Sequence, residues 1–240
     1  MTTHIYKEAK RIQGSLLAPL EKRCLIWMAE RMPAAVNSDH LTSLAGLSML
    51  AAGLCYWNGS PGALLAAVGL LALNWFGDSL DGTLARVRHH ERPRYGFYVD
   101  HVLDVLSILF IFAGLVLGNH MSLAIGGGFL LAYYLLMIEI ALATHAVGTF
   151  RISFWKFGPT ELRILLAIGS LRLLHTGVVT IAGSDYLLFD VGGVVAIVGL
   201  VVTFLVSAIT NTRALYVAEP LPGRAADSHF PPGARAVPAK

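Results

Sequence analysis

Residues 77–104 read GDSLDGTLARVRHHERPRYGFYVDHVLD. The stretch lies in one of the most apolar parts of the chain, yet it holds four aspartates: Asp78, Asp81, Asp100 and Asp104. Ionised carboxylates inside a membrane are expensive and default to function rather than packing. Asp78 and Asp81 have i, i+3 spacing and Asp100 and Asp104 have i, i+4 spacing, so on helices each pair shares one face. A short basic turn joins the two segments and makes them antiparallel neighbours. All four carboxylates can then converge at a similar depth.

The surroundings of this stretch define the class. The chain has 240 residues, 55% of them hydrophobic and 14% charged, and its mean hydropathy is +0.64. A soluble domain of this size carries about 25% charged residues, so this chain lacks the charge to cover a water-facing surface. Long apolar runs predict an all-α polytopic membrane protein with six transmembrane helices. The expected spans are Leu41–Trp57, Gly62–Arg86, Tyr95–Leu117, Ser122–Gly148, Pro159–Ala182 and Leu187–Leu215.

Lysine and arginine alternate across these spans. Six precede the first span, and none lies between the first and second. Arg86, Arg88, Arg92 and Arg94 fill the second connection, and the third has none. Arg151, Lys156 and Arg163 mark the fourth, the fifth has none, and Arg213, Arg224, Arg235 and Lys240 come last. The positive-inside rule then puts both termini and the aspartate cluster on the cytoplasmic side, at the inner membrane if the source is bacterial.

Three regions are expected. Residues 1–36 form an N-terminal interfacial segment in which Leu17, Leu20, Cys24, Trp27 and Met28 recur at helical spacing as an amphipathic helix. A surface helix packed on the bundle is the equal alternative. Residues 37–217 form the six-helix domain, and residues 218–240, rich in proline and glycine, form a disordered cytoplasmic tail. The first 32 residues lack the uninterrupted apolar core of a signal peptide. Cys24 and Cys55 read as small buried residues, since two cysteines outside any ligand spacing build neither a disulfide framework nor a zinc site. The net charge of +3 fits basic loops facing anionic lipid, so no nucleic-acid partner is expected.

Four carboxylates so close together repel unless some are protonated or a cation sits among them. An oxygen-only ligand set selects a hard divalent ion such as magnesium, manganese or calcium. Four carboxylates can hold two ions and leave room for a diphosphate, an arrangement suited to phosphoryl transfer. Gly77, Gly82 and Gly96 interrupt helices at a cost of about 1 kcal/mol each relative to alanine. They either admit a bulky ligand or allow close helix packing. Arg86, about one turn nearer the cytoplasm than Asp81, can meet a phosphate. A proton or ion path through a transporter is the reading from another class. The position of the cluster at one end of its helices, with no continuous polar path, weighs against it.

Asp78-x2-Asp81-Gly82-x2-Ala85-Arg86, then nine residues, then Gly96-x3-Asp100-x3-Asp104, resembles the signature of the CDP-alcohol phosphotransferases. The likeness covers roughly residues 15 to 215. It implies transfer from a cytidine diphosphate-linked donor to an alcohol, with release of CMP. It also implies two divalent cations, Mg2+ or Mn2+, held by Asp78, Asp81, Asp100 and Asp104, with Asp104 as general base. Asp78, Gly82, Ala85, Arg86 and Gly96 would form the nucleotide site, and a homodimer would be the assembly. The leading version moves a phosphatidyl group from CDP-diacylglycerol to a small polar alcohol. The alternative moves a phosphoalcohol from a soluble CDP-alcohol to diacylglycerol. Aspartate-rich intramembrane prenyltransferases need a second acidic motif on the same side, whereas Asp185 and Asp190 are expected on the opposite one.

Other polar residues have two readings. Glu161 and Arg163, just after Pro159 at the start of the fifth span, either begin a helix or line an acceptor or donor pocket. Glu139, deep in the fourth span, can contact an acceptor or pair with His145 or Arg172. His101 is expected to pack rather than ligate. Arg88, Arg92, Arg94, Arg151 and Lys156 suffice as orienting and lipid-attracting charges, and some can also serve a phosphorylated acceptor.

Overall fold

The computed structural model describes residues 10–12, 18–147, 149–151 and 159–219. The expected tail beyond Glu219 and the segment bearing Lys156 lie outside these residues. Seven helices dominate: α1 (Ala18–Arg31), α2 (Ser38–Asn58), α3 (Pro61–Val87), α4 (Pro93–Leu117), α5 (Leu123–Val147), α6 (Pro159–Leu173) and α7 (Leu188–Ala218). Four of them, over Pro61–Val87, Pro93–Leu117, Leu123–Ala146 and Leu188–Ala218, are long and apolar enough to cross a membrane. The 21 residues of α2 give it sufficient length, but it is more polar.

One expected span is shorter than its hydropathy suggested. Instead of running to Ala182, α6 stops at Leu173 after 15 residues, roughly 22 Å of helix against a hydrocarbon layer of about 30 Å. The chain then forms an antiparallel hairpin of β3 (Val178–Ile181) and β4 (Ser184–Leu187). Its turn residues Ala182 and Gly183 both have positive φ, at 52° and 84°. That is the backbone demanded by a two-residue hairpin turn whose twist matches its strands. Two short strands, β1 (Lys10–Ile12) and β2 (Thr149–Arg151), also pair in parallel.

The core is built where α2, α3 and α4 meet. Gly53 of α2 and Gly114 of α4 lie backbone to backbone, and a Cβ on Gly114 would strike Gly53 itself. Small residues at such crossings permit the close helix approach on which membrane bundles depend. Around the crossing, Met49, Ala52, Tyr56, Leu71, Ile111 and Leu115 fill a common cluster. The Tyr56 hydroxyl is satisfied in this interior by Ser170 of α6, at 2.6 Å.

A second cluster docks α1 on α3 through Leu25, Ala29, Leu80 and Leu84. The stripe expected on this helix therefore splits. Met28 packs against the cluster, whereas Trp27 is 56% exposed and Cys24 is exposed rather than buried. Asn37 caps α2 reciprocally with His40. Arg88 donates to the carbonyls of Met32, Pro33 and Val36, and Arg92 pairs with Asp39. These basic side chains of the α3–α4 turn thus fix the entry into α2.

Candidate active site

α3 and α4 are not the packed neighbours their short turn suggested: α2 lies against both, and the C-terminal half of α3 and the N-terminal half of α4 face each other across a cavity that α2 also lines. Helical spacing aims Asp78 and Asp81 from one and Asp100 and Asp104 from the other into a single small cavity. Within it, Asp78, Asp100 and Asp104 bring one carboxylate oxygen each to within 4.8 Å of one another. Ionised carboxylates at that separation repel by about 3 kcal/mol per pair at an effective dielectric near 20. Three such pairs approach the whole net stability of a typical domain, roughly 5–15 kcal/mol. The cluster therefore requires positive charge or protons.

Part of that charge comes from α6. Arg163 donates to Asp78 Oδ2 at 2.6 Å, and the two side chains are 12% and 25% exposed. The N-terminal end of α6, begun by Pro159, delivers this guanidinium to the cluster. Glu161, two residues earlier, occupies the first turn. Asp104 is in electrostatic reach of Asp100, Asp78, Asp81 and Arg163. Tyr133 of α5 lies within reach of Asp104 and Arg163.

Asp81 stands slightly apart from the trio and is held by α2. Thr42 donates its hydroxyl to Asp81 Oδ2 at 2.5 Å, the Gly82 amide donates to Oδ1, and Ser38 donates to the Asp81 carbonyl at 2.8 Å. The close approach of α2 rests on Gly77. A Cβ there would lie 2.6 Å from the Leu41 carbonyl oxygen, so this glycine serves helix packing. Gly82 and Gly96 differ. An added Cβ at Gly82 would meet only the end of the Arg86 side chain at 3.5 Å, and one at Gly96 would meet nothing within 4 Å. Their bare backbones face room for a ligand.

The site continues toward the helix ends. Ala85 borders a groove shared with Ser38, Asp39, Arg88 and Arg92. Arg86 is exposed and donates to Thr83 Oγ1 at 3.1 Å. Among the described residues, the donor atoms in the cavity are carboxylate, hydroxyl and amide oxygens, without sulfur or imidazole. That set suits Mg2+, Mn2+ or Ca2+ rather than a softer metal.

Glu139 is committed elsewhere. It is 8% exposed and accepts from Ser207 and Asn211 of α7, each at 2.7 Å, so its partners are neither His145 nor Arg172. His101 stacks on Phe97 with ring centroids 4.0 Å apart, as expected of a packing residue. Asp190 accepts from the Ser122 amide at the start of α5, and Asp185 accepts from Thr180 in the hairpin. Both lie at the opposite end of the bundle from the cluster. Sequence reading missed Thr42, Ser38, Asn74 and Tyr133, which reach the site from α2, α3 and α5 without any motif or spacing that links them to the aspartates.

Comparison with known proteins agrees with this geometry. The model of a family described as CDP-alcohol phosphatidyltransferase matches residues 36–210. Archaetidylinositol phosphate synthase of Methanothermobacter thermautotrophicus is 33% identical over 108 residues, covering 45% of this chain and 52% of that protein. The chain thus matches about half the length of this curated relative.

Proposed function

The chain belongs to the CDP-alcohol phosphatidyltransferase family and is a phosphotransferase enzyme, and we propose that it moves a phosphatidyl group from CDP-diacylglycerol to a small polar alcohol, releasing CMP. The observation that carries this reading is the convergence of Asp78, Asp100 and Asp104 within 4.8 Å. The matched relative is by name a synthase of archaetidylinositol phosphate, which favours a lipid donor and a phosphorylated polyol acceptor over phosphoalcohol transfer to diacylglycerol.

Asp78, Asp81, Asp100 and Asp104 would hold two divalent cations. Such ions, when bound, neutralise the donor diphosphate and the charge that develops on the attacking and leaving oxygens. The protein's own residues do the rest. Asp104 takes the proton from the acceptor hydroxyl as its oxygen bonds to the phosphorus distal to cytidine. The bond from that phosphorus to CMP breaks, and CMP leaves with the electron pair. Thr42 orients Asp81, and Arg163 holds Asp78 through Oδ2. Gly82, Ala85, Gly96 and Arg86 receive the nucleotide, and Glu161 with Arg163 borders the acceptor side.

In the membrane, α2 and α6 complete a six-span bundle with the site and both termini on the cytoplasmic side, α1 lies at the interface, and two copies form a homodimer. CMP release by purified protein with Mg2+ or Mn2+ tests the reaction. CDP-diacylglycerol with a polyol phosphate supports the proposal. Activity only with a soluble CDP-alcohol and diacylglycerol reverses the direction, and ion transport without CMP release defeats it.

A further inference from the structure

We propose that Asn74 supplies a neutral fifth oxygen to the cation site; this rests on the reading of the aspartate cluster as that site. Asn74 is 4% exposed in the middle of α3, one helical turn before Asp78 and on the same face. Its Nδ2 donates to the Ala45 carbonyl of α2 at 3.0 Å. This bond fixes which way the amide points, because a carbonyl oxygen accepts only from the NH2 end. Oδ1 is buried without a hydrogen-bond partner among the described residues, and Asn74 lines the same cavity as the four aspartates.

A tether between α2 and α3 explains the nitrogen and leaves the oxygen over. In a bilayer no bulk water relieves a stranded carbonyl, so an apolar residue of the same shape would be preferred unless something positive meets that oxygen. Asparagine carbonyls are ordinary ligands of hard divalent cations. The amide also has a specific advantage here. With four carboxylates already present, a neutral donor adds coordination without adding repulsion.

The test uses the full-length protein in nanodiscs without substrate, with Mn2+ binding followed by the loss of the free-ion EPR signal. Asn74→Leu removes the oxygen while keeping the branched shape, with a larger side chain, and Asn74→Asp restores an oxygen. The expectation is at least about tenfold weaker Mn2+ binding for Asn74→Leu, with Asn74→Asp within about threefold of the original or tighter. Metal-free Asn74→Leu removes the stranded oxygen and the bond to Ala45 together, so its melting temperature should stay within a few degrees of the original. Unchanged Mn2+ binding by Asn74→Leu overturns the assignment of Asn74 alone. So does equal loss of Mn2+ binding in both variants accompanied by a lower metal-free melting temperature, which marks a purely structural tether. Absence of saturable Mn2+ binding in the unsubstituted protein overturns the cation site, and this assignment with it.

Discussion

Arg163 and Asp78, 85 residues apart in the chain, meet at 2.6 Å. The pair joins the N-terminal end of α6 to the aspartate-bearing half of α3 and places a fixed cation beside a cluster of acids. Arg163→Met should leave Asp78 free to swing and the cluster under-compensated. Because residues that orient metal ligands typically contribute 10–100-fold, kcat is expected to fall by about that factor. Arg163→Lys should recover part of it, and steady-state CMP release across a Mn2+ series measures both.

Thr42 acts on the cluster from a third helix. Thr42→Val keeps the shape but removes the hydroxyl that Asp81 Oδ2 accepts from. Hydrogen bonds to charged groups contribute about 1.5–3 kcal/mol, so Mn2+ binding should weaken roughly 10- to 100-fold. Titration in nanodiscs checks this, and circular dichroism should show the fold unchanged.

The three glycines near the aspartates should separate by role. Gly77→Ala drives a Cβ into the Leu41 carbonyl and should destabilise by about 1–3 kcal/mol. Gly96→Ala meets open space, Gly82→Ala meets only the end of the Arg86 side chain, and both should gain up to about 1 kcal/mol of helix stability. Both should lose CDP affinity, because the new methyl occupies the ligand's approach. Thermal unfolding and CDP titration on the same preparations distinguish the outcomes.

Glu139 should prove structural. Glu139→Ala removes the carboxylate that Asn211 and Ser207 both donate to at the α5–α7 contact and leaves them only their bond to each other, at a cost of about 1–3 kcal/mol. The melting temperature should drop while kcat stays within about threefold. A large loss of kcat without loss of stability would return this residue to the acceptor pocket.

The helices and half of the site were readable along the chain because their signals are local. Apolar runs bounded by turn residues located α3, α4, α5 and α7 within a few residues, and i, i+3 and i, i+4 spacing placed the carboxylates. The end of α6 was misread because Val178, Val179 and Ile181 are as apolar as a helix. The informative features were their β-branching and the Ala182–Gly183 turn. Thr42, Asn74 and the Arg163–Asp78 pair left no such mark. Each depends on which helix becomes a neighbour, and a lone threonine or asparagine has no period to reveal it.

The most direct test of the account is Asp104→Asn, with CMP release and metal-dependent CDP binding measured on one preparation. The substitution keeps size and hydrogen-bonding capacity but removes the proton acceptor. The account predicts CMP release at background and CDP affinity within about threefold of the unsubstituted protein. Near-normal CMP release by Asp104→Asn would contradict it.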